Sequence, residues 1–358
     1  MIGARKGFAG DNGPAPVAWL DTPGGIDVAS NGDVFFADSN NHVIRRIDGG
    51  SDNTIRTVVG NNALGAGFSG DFGPATRAQL DTPGGVAVAP DGDLIVADSH
   101  NNRIRRVDWP TGVIMTIAGS GESTYDGDDQ PAVEAALNLP SAVAAATNGD
   151  IYIADTLNYR VRMIDHATGL IHTIAGNGEP ADEGPVGDGQ TASLARLNMP
   201  SDIDIAPNGD IYIADMHHQR VRKIDARTHI ITTVAGSGQW GHTGDGGRAT
   251  DASLAGPAGI ALVPDEAGQL TLYIADYYNG LVRSVTPDGI IHDVGSEGRV
   301  TFGAPTRVAF APRRTTLWIA DASLDRLVAL RVGRPAPPPL LRPLPVRTPP
   351  AVQKRAAG

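Results

Sequence analysis

Asp150-Ile-Tyr-Ile-Ala-Asp155-Thr-Leu-Asn158-Tyr-Arg160-Val-Arg162-Met-Ile-Asp165 decides the architecture of this chain. A β-branched and aromatic run ends in Ala-Asp, a few polar residues turn the chain, and a second run alternates arginine with apolar residues. Two such runs around a short turn read as paired β-strands. Working outward, Pro140 opens an earlier strand that meets the first run through Asn148-Gly149, a tight-hairpin dipeptide. A Thr-Gly turn then leads to a fourth strand, Leu170-Ile-His-Thr-Ile-Ala-Gly176. The unit therefore has four strands, A to D, and no helix long enough for a crossover.

The unit recurs six times. Its Ala-Asp carboxylate falls at Asp38, Asp98, Asp155, Asp215, Asp276 and Asp321, and its leading proline at Pro23, Pro83, Pro140, Pro200, Pro257 and Pro305. The first five aspartates lie 57 to 61 residues apart. One four-stranded unit cannot bury both of its faces, so six in succession predict an all-β, six-bladed β-propeller. The expected division is a propeller over residues 1–332 and a Pro/Arg-rich tail over 333–358. The tail has no periodicity, and proline supplies no ladder donors, so it reads as disordered or polyproline II.

Between strand D and the next strand A runs a linker, Gly-Asp-x-x-x-Ala-x-x-Ala-x-Leu, with its Asp at Asp11, Asp71, Asp128, Asp188 and Asp245. Its apolar spacing, as at Ala15, Ala18 and Leu20, predicts one helical turn capping the blade edge. Before blade six the linker is replaced by Gly295-Ser-Glu-Gly-Arg-Val-Thr301. Blade six also lacks an ordinary strand D, while Met1-Ile-Gly3 stands where the end of a strand D should precede the first linker. Ring closure is expected to pair the N-terminus with blade six. The same feature leads to the expectation that the natural polypeptide begins upstream, and with it to a secreted or cell-surface location.

The formal charge of −11 argues against nucleic acid and anionic membranes, which call for a basic face. No apolar run reaches the roughly 20 residues of a spanning helix, so membrane insertion is not expected. The absence of cysteine removes disulfides, thiolate zinc and thiol nucleophiles. Gly65-Ala-Gly67-Phe-Ser-Gly70 fits G-x-G-x-x-G but follows an outer strand and opens no helix, so no dinucleotide site is expected.

The turn Ala97-Asp98-Ser-His-Asn101-Asn-Arg103, repeated at Ala154-Asp155-Thr-Leu-Asn158-Tyr-Arg160, resembles the NHL repeat. With the Ala-Gly-x-Gly end of strand D, the chain looks most like bacterial NHL propellers over residues 1–332. The resemblance implies the propeller fold but not one function, because such propellers bind proteins or RNA and, in the peptidyl-hydroxyglycine amidating lyases, perform metal-dependent chemistry. Departures from the motif are His218 for Asn in blade four, Leu281 for Arg in blade five and Leu324 for Asn in blade six.

The six repeat aspartates are expected to be fold residues that accept backbone N–H groups and pair with arginine. Arg45, Arg105, Arg162, Arg222 and Arg283 of strand C are expected to pair between blades. Long linkers and B–C turns share the top face, which marks the binding side. There, Tyr159, Trp240, Tyr277 and Tyr278 are candidate partner anchors, and Asp202 and Arg307 at the start of strand A are candidate ligand contacts. Asp21, Asp81, Asn138 and Asn198 are expected to ring the upper mouth of the central channel as oxygen ligands for Ca²⁺. Of the top-face histidines His42, His100, His217, His218 and His242, the resemblance to lyase-like NHL enzymes makes His217, His218 and His242 the set that could converge on zinc, the other reading being solvated turn residues.

The leading expectation is a monomeric, non-catalytic propeller binding a protein, peptide or glycan on its top face. The alternative is a metal-dependent lyase or hydrolase at the channel mouth.

Overall fold

The computed structural model describes residues 1–50, 53–180, 184–294, 300–311 and 315–332. Six antiparallel sheets follow one another in chain order, one per repeat, and form a six-bladed β-propeller. In blade one, strands A to D are Pro23–Val28, Val34–Asp38, Val43–Ile47 and Thr54–Val59. Blade three shows the same order in Pro140–Ala145, Ile151–Asp155, Arg160–Ile164 and Leu170–Ala175. In blades one to four the A–B hairpin is fixed by its own Asx residue. Asn31, Asp91, Asn148 and Asn208 accept the backbone N–H two residues on, at 3.0–3.2 Å.

The linker does form a helical turn, a 3₁₀ turn at Ala15–Val17, Ala75–Arg77, Ala192–Leu194 and Ala249–Asp251. It does not simply cap an edge. Ala15, Ala18 and Leu20 have no exposure and pack with Ile26, Phe36 and Ile55 of blade one and with Ala309 and Leu327 of blade six. The linker's apolar residues therefore fill the seam between blades, because small alanines let two twisted sheets approach while leucine fills the gap between them.

Blade six has three strands, Pro305–Ala311, Thr316–Asp321 and Arg326–Arg331. The N-terminus closes the ring: Ile2 and Leu327 exchange two backbone hydrogen bonds of 2.8 Å. Thr22 N–H donates to Asp325 Oδ1 at 2.9 Å, and Thr306 Oγ1 donates to Pro23 O at 3.2 Å. Most of the replaced linker before blade six, and the whole tail from 333 onward, lie outside the described residues.

Candidate functional site

Each repeat aspartate sits at zero exposure where strand B ends. Asp155 Oδ1 accepts the N–H of Asn138 at 2.8 Å, and its Oδ2 accepts from Asn158 at 2.8 Å and from Arg162 at 3.5 Å. Arg162, also fully buried, reaches linker residue Asp128 at 2.8 Å. The same chain of carboxylate, guanidinium and carboxylate joins Asp38, Arg45 and Asp11, then Asp98, Arg105 and Asp71, and so on through Asp276, Arg283 and Asp245. The arginines thus pair within a blade and with that blade's own preceding linker, not between blades. The linker carboxylate is held in turn by a strand D threonine, such as Thr116 on Asp71 at 2.8 Å.

Burial pushes Asp38, Asp98, Asp155 and Asp276 up to about 6, against the opposing pull of their backbone donors and arginine. Three aromatic residues cover these guanidiniums: Phe8 over Arg45 at 5.0 Å, Phe68 over Arg105 at 4.8 Å and Tyr125 over Arg162 at 4.9 Å. Each lies three residues before the linker aspartate, a regularity visible in the sequence but missed there.

Strands A line the central channel, which holds a cavity of about 260 Å³. Asp27, Asp202, Asp204 and Arg307 are the charged residues on its wall. Arg307 donates to the carbonyls of Ser141 at 3.1 Å, Ser201 at 2.6 Å and Ala258 at 2.8 Å, so one side chain of blade six spans the channel to blades three, four and five. Asp202 lies 3.5 Å from Arg307 and accepts the N–H of Ile260 at 2.8 Å. Asp27 accepts Val88 N–H and Asp204 accepts Leu262 N–H, each at 2.7 Å, stitching neighbouring strands A together. Burial raises all three carboxyls, Asp204 to about 7. Asp202 and Arg307 are therefore engaged with each other and with backbone, and they bridge blades across the channel.

Asp21, Asp81, Asn138 and Asn198 do not line that channel cavity. Their backbone N–H groups are taken by Asp38, Asp98, Asp155 and Asp215. Their carbonyls accept from the B–C turn of the same blade, at Asn40, His100, Leu157 and His217. The Asp21 side chain accepts from Thr22 and Asn40, and that of Asp81 from Thr82. Turn bonding thus engages the backbone groups of all four within their own blades, while the Asp81 carboxylate also lies 3.7 Å from His42 of the preceding blade. The histidines do not converge: His218 is buried with Nδ1 2.8 Å from Asp215, standing in for the usual asparagine, while His217 and His242 are exposed. Among the described residues no three His, Cys, Asp or Glu side chains group to hold a metal.

The aromatics behave differently. Trp240 and Tyr278 stack at 4.8 Å and Tyr277 meets Tyr278 edge-on at 4.8 Å, with Trp240 61% and Tyr278 54% exposed. Tyr278 in the B–C turn of blade five and Trp240 in the linker leading to it thus form one platform on the top face. Tyr159, in blade three, is part-buried and stands apart from it.

A further set of residues escaped the sequence reading. In four of the six blades the left-handed residue closing the B–C turn reaches the next blade: His42 Nδ1 accepts Thr82 N–H at 3.1 Å, Asn102 Oδ1 accepts Leu139 N–H at 2.9 Å, and Gln219 Oε1 accepts Gly256 N–H at 2.6 Å. Asp325 does the same across the closure. Its only signal is a polar acceptor four residues after the repeat aspartate, too variable in identity to be noticed.

Residues 80–107 match the NHL repeat, and residues 165–243 match the teneurin NHL domain. The chain is 27% identical to the chloroplastic protein Suppressor of quenching 1 of Arabidopsis thaliana, over 70% of this chain and 24% of that protein. It is 31% identical to mouse teneurin-1, over 61% of this chain and 8% of that protein. To NHL repeat-containing protein 2 of Bos taurus it is 26% identical, over 74% and 39% respectively. The chain thus spans well under half the length of each of these relatives. They are plant and animal proteins, so they carry the likeness to NHL repeats without the narrower bacterial likeness expected from the sequence.

Among solved structures, an auxiliary nutrient binding protein from Bacteroides thetaiotaomicron superposes with a TM-score of 0.64 at 15% identity, covering 91% of this chain and 74% of that one. A gluconolactonase from Xanthomonas campestris gives 0.58 at 14%, covering 86% and 85%. At such identities the likeness is of fold alone.

Proposed function

We propose that this propeller is a non-catalytic binding module that takes a protein or peptide partner on its top face. The observation that carries the reading is the platform of exposed Trp240 and Tyr278, braced by the part-buried Tyr277. Large rings left in solvent and braced by one another give up little entropy on binding and bury much apolar area, which is how interface hot spots work. The charged channel residues fit the same reading, since most of their polar atoms are engaged with backbone and the Arg307 and Asp202 side chains pair with each other. The NHL repeats add support at the level of class, as propellers of this kind commonly serve as interaction scaffolds.

The test is a peptide and glycan panel probed with the native chain and with Trp240→Ala/Tyr278→Ala. A polypeptide ligand should lose affinity by at least about tenfold in the double variant. Retention of all ligands by the variant would refute the platform, and binding of glycans alone would replace the partner class.

A further inference from the structure

Blade five, which carries the aromatic platform, departs from blades two to four at two positions, and both departures shift its charge towards negative. In those three blades strand C opens with an arginine paired in register with the repeat aspartate: Arg103 with Asp98, Arg160 with Asp155 and Arg220 with Asp215. In blade five Leu281 stands in that place, opposite Asp276. The second departure is in strand D. Thr116, Thr173 and Thr233 face the buried arginines of blades two to four, whereas Asp293 faces Arg283.

The balance of charge differs accordingly. In blade two Arg103 and Arg105 stand against Asp71 and Asp98, and blades three and four repeat that neutral set. In blade five Arg283 alone stands among Asp245, Asp276 and Asp293. Burial and the neighbouring Asp245 push the Asp293 carboxyl up, while Arg283 and His242 draw it down. The platform is tied to this set. Asn279, next to Tyr278, donates to Asp276 Oδ2 and to the carbonyl of Gly241, next to Trp240, each at 2.7 Å.

The chain itself shows which group such rings accept. Arg103 lies over Phe68 at 3.9 Å and Arg160 over Tyr125 at 3.8 Å. In both cases the arginine that opens strand C covers a ring of the linker leading into its own blade, the relation that Leu281 bears to Trp240. Among the described residues no cationic group lies over Trp240, Tyr277 or Tyr278.

We propose that the platform receives an arginine side chain from an extended segment of the partner polypeptide, whose guanidinium stacks on Trp240 and Tyr278 and supplies the positive charge that blade five lacks. This rests on the reading of the platform as the binding face and names the chemistry it selects. Arginine fits better than lysine, because its planar, weakly hydrated guanidinium lies flat on a ring while its N–H groups still reach carboxylates and carbonyls. The net charge of −11 favours encounter with a basic segment.

The probe is the peptide Gly-Ser-Arg-Ser-Gly, blocked at both ends, titrated into the full chain beside two counterparts that carry citrulline or lysine in place of arginine. The arginine peptide should saturate, and the citrulline peptide, of the same shape without the charge, should bind about tenfold more weakly. Lysine should fall between them. The chain variant Asp293→Thr restores the residue of the neighbouring blades, so it should keep its melting temperature yet weaken the arginine peptide at least about threefold. Absence of saturation at millimolar arginine peptide, equal affinity for arginine and citrulline, or unchanged affinity in Asp293→Thr would overturn the proposal and leave the platform open to uncharged peptides. Undiminished binding of the arginine peptide by Trp240→Ala/Tyr278→Ala would overturn the platform as well.

Discussion

Arg45, Arg105, Arg162, Arg222 and Arg283 have no solvent exposure, and a guanidinium is stable there only because two carboxylates and several carbonyls surround it. Blade six shows what happens when one part goes. It has no linker aspartate, Val328 stands in the arginine's place, and Arg326 approaches Asp321 instead, at 3.0 Å from the start of strand C. The network is thus kept or abandoned as a whole. Asp155→Ala strips Arg162 of one carboxylate and Asn138 of its acceptor, and should cost about 3–5 kcal/mol, read as a melting temperature about 10 °C lower. Adding Arg162→Met should recover part of that loss, and strict additivity in the double-mutant cycle would disprove the coupling. A second prediction concerns pH. Asp204 has a folded value of about 7, above its ordinary 3.8, so the stability linked to it is fully present below about pH 4 and is lost as pH rises through 7. Its two backbone donors do not offset the burial. Melting temperature should fall as pH rises from about 4 to 7 and level off above that, and Asp204→Asn, whatever its absolute stability, should make the fall shallower; an unchanged slope would place the titration elsewhere.

At the scale of the strand and turn, much was legible because each feature is local and repeated. Asn-Gly pairs, Ala-Asp endings and alternating runs each need only a few neighbouring residues, and six copies remove the ambiguity of one. What was not legible depends on approach between blades. The polar acceptors His42, Asn102, Gln219 and Asp325 share a place and a task but no side-chain chemistry, so no pattern marked them. Arg307 reads as an isolated charge until the ring brings three carbonyls around it. At Asp21, Asp81, Asn138 and Asn198, the expected calcium ring, the structure adds turn bonding within the blade that engages their backbone groups. A matched pair of glycines tests such approach. In Gly176, at φ +89°, a Cβ would lie 2.2 Å from Tyr159 O; in Gly169, at φ +71°, it would meet nothing within 4 Å. Both alanine variants bear the left-handed penalty of about 1–2 kcal/mol, but only Gly176→Ala adds overpacking of about 1–3 kcal/mol. Thermal melting should separate them by several degrees, and equal losses would show that the strand D terminus relaxes freely.

Across the molecule the core is not one body but a ring of seams, because each apolar cluster joins two neighbouring blades. Stability in such an array is close to a sum of nearest-neighbour terms, so the weakest seam governs where opening begins. Five seams are covalently continuous, whereas the sixth is joined through Ile2, Asp325 and Thr306. Ile2 is 6% exposed and packs with Leu20 and Leu327, so Ile2→Ala removes buried methyl groups at the one point where the ring is held by contacts alone. Truncating a buried isoleucine costs about 2–5 kcal/mol. The variant should melt about 5–10 °C lower, and hydrogen exchange should quicken in blades one and six before it does in blade three. Deleting residues 334–358 should leave the melting temperature nearly unchanged, since that proline-rich sequence offers little apolar surface to bury. If Ile2→Ala loosened all six blades equally, the ring would open as one cooperative unit and the closure would not be its weak point; if the deletion lowered melting by several degrees, the tail would share in holding blade six.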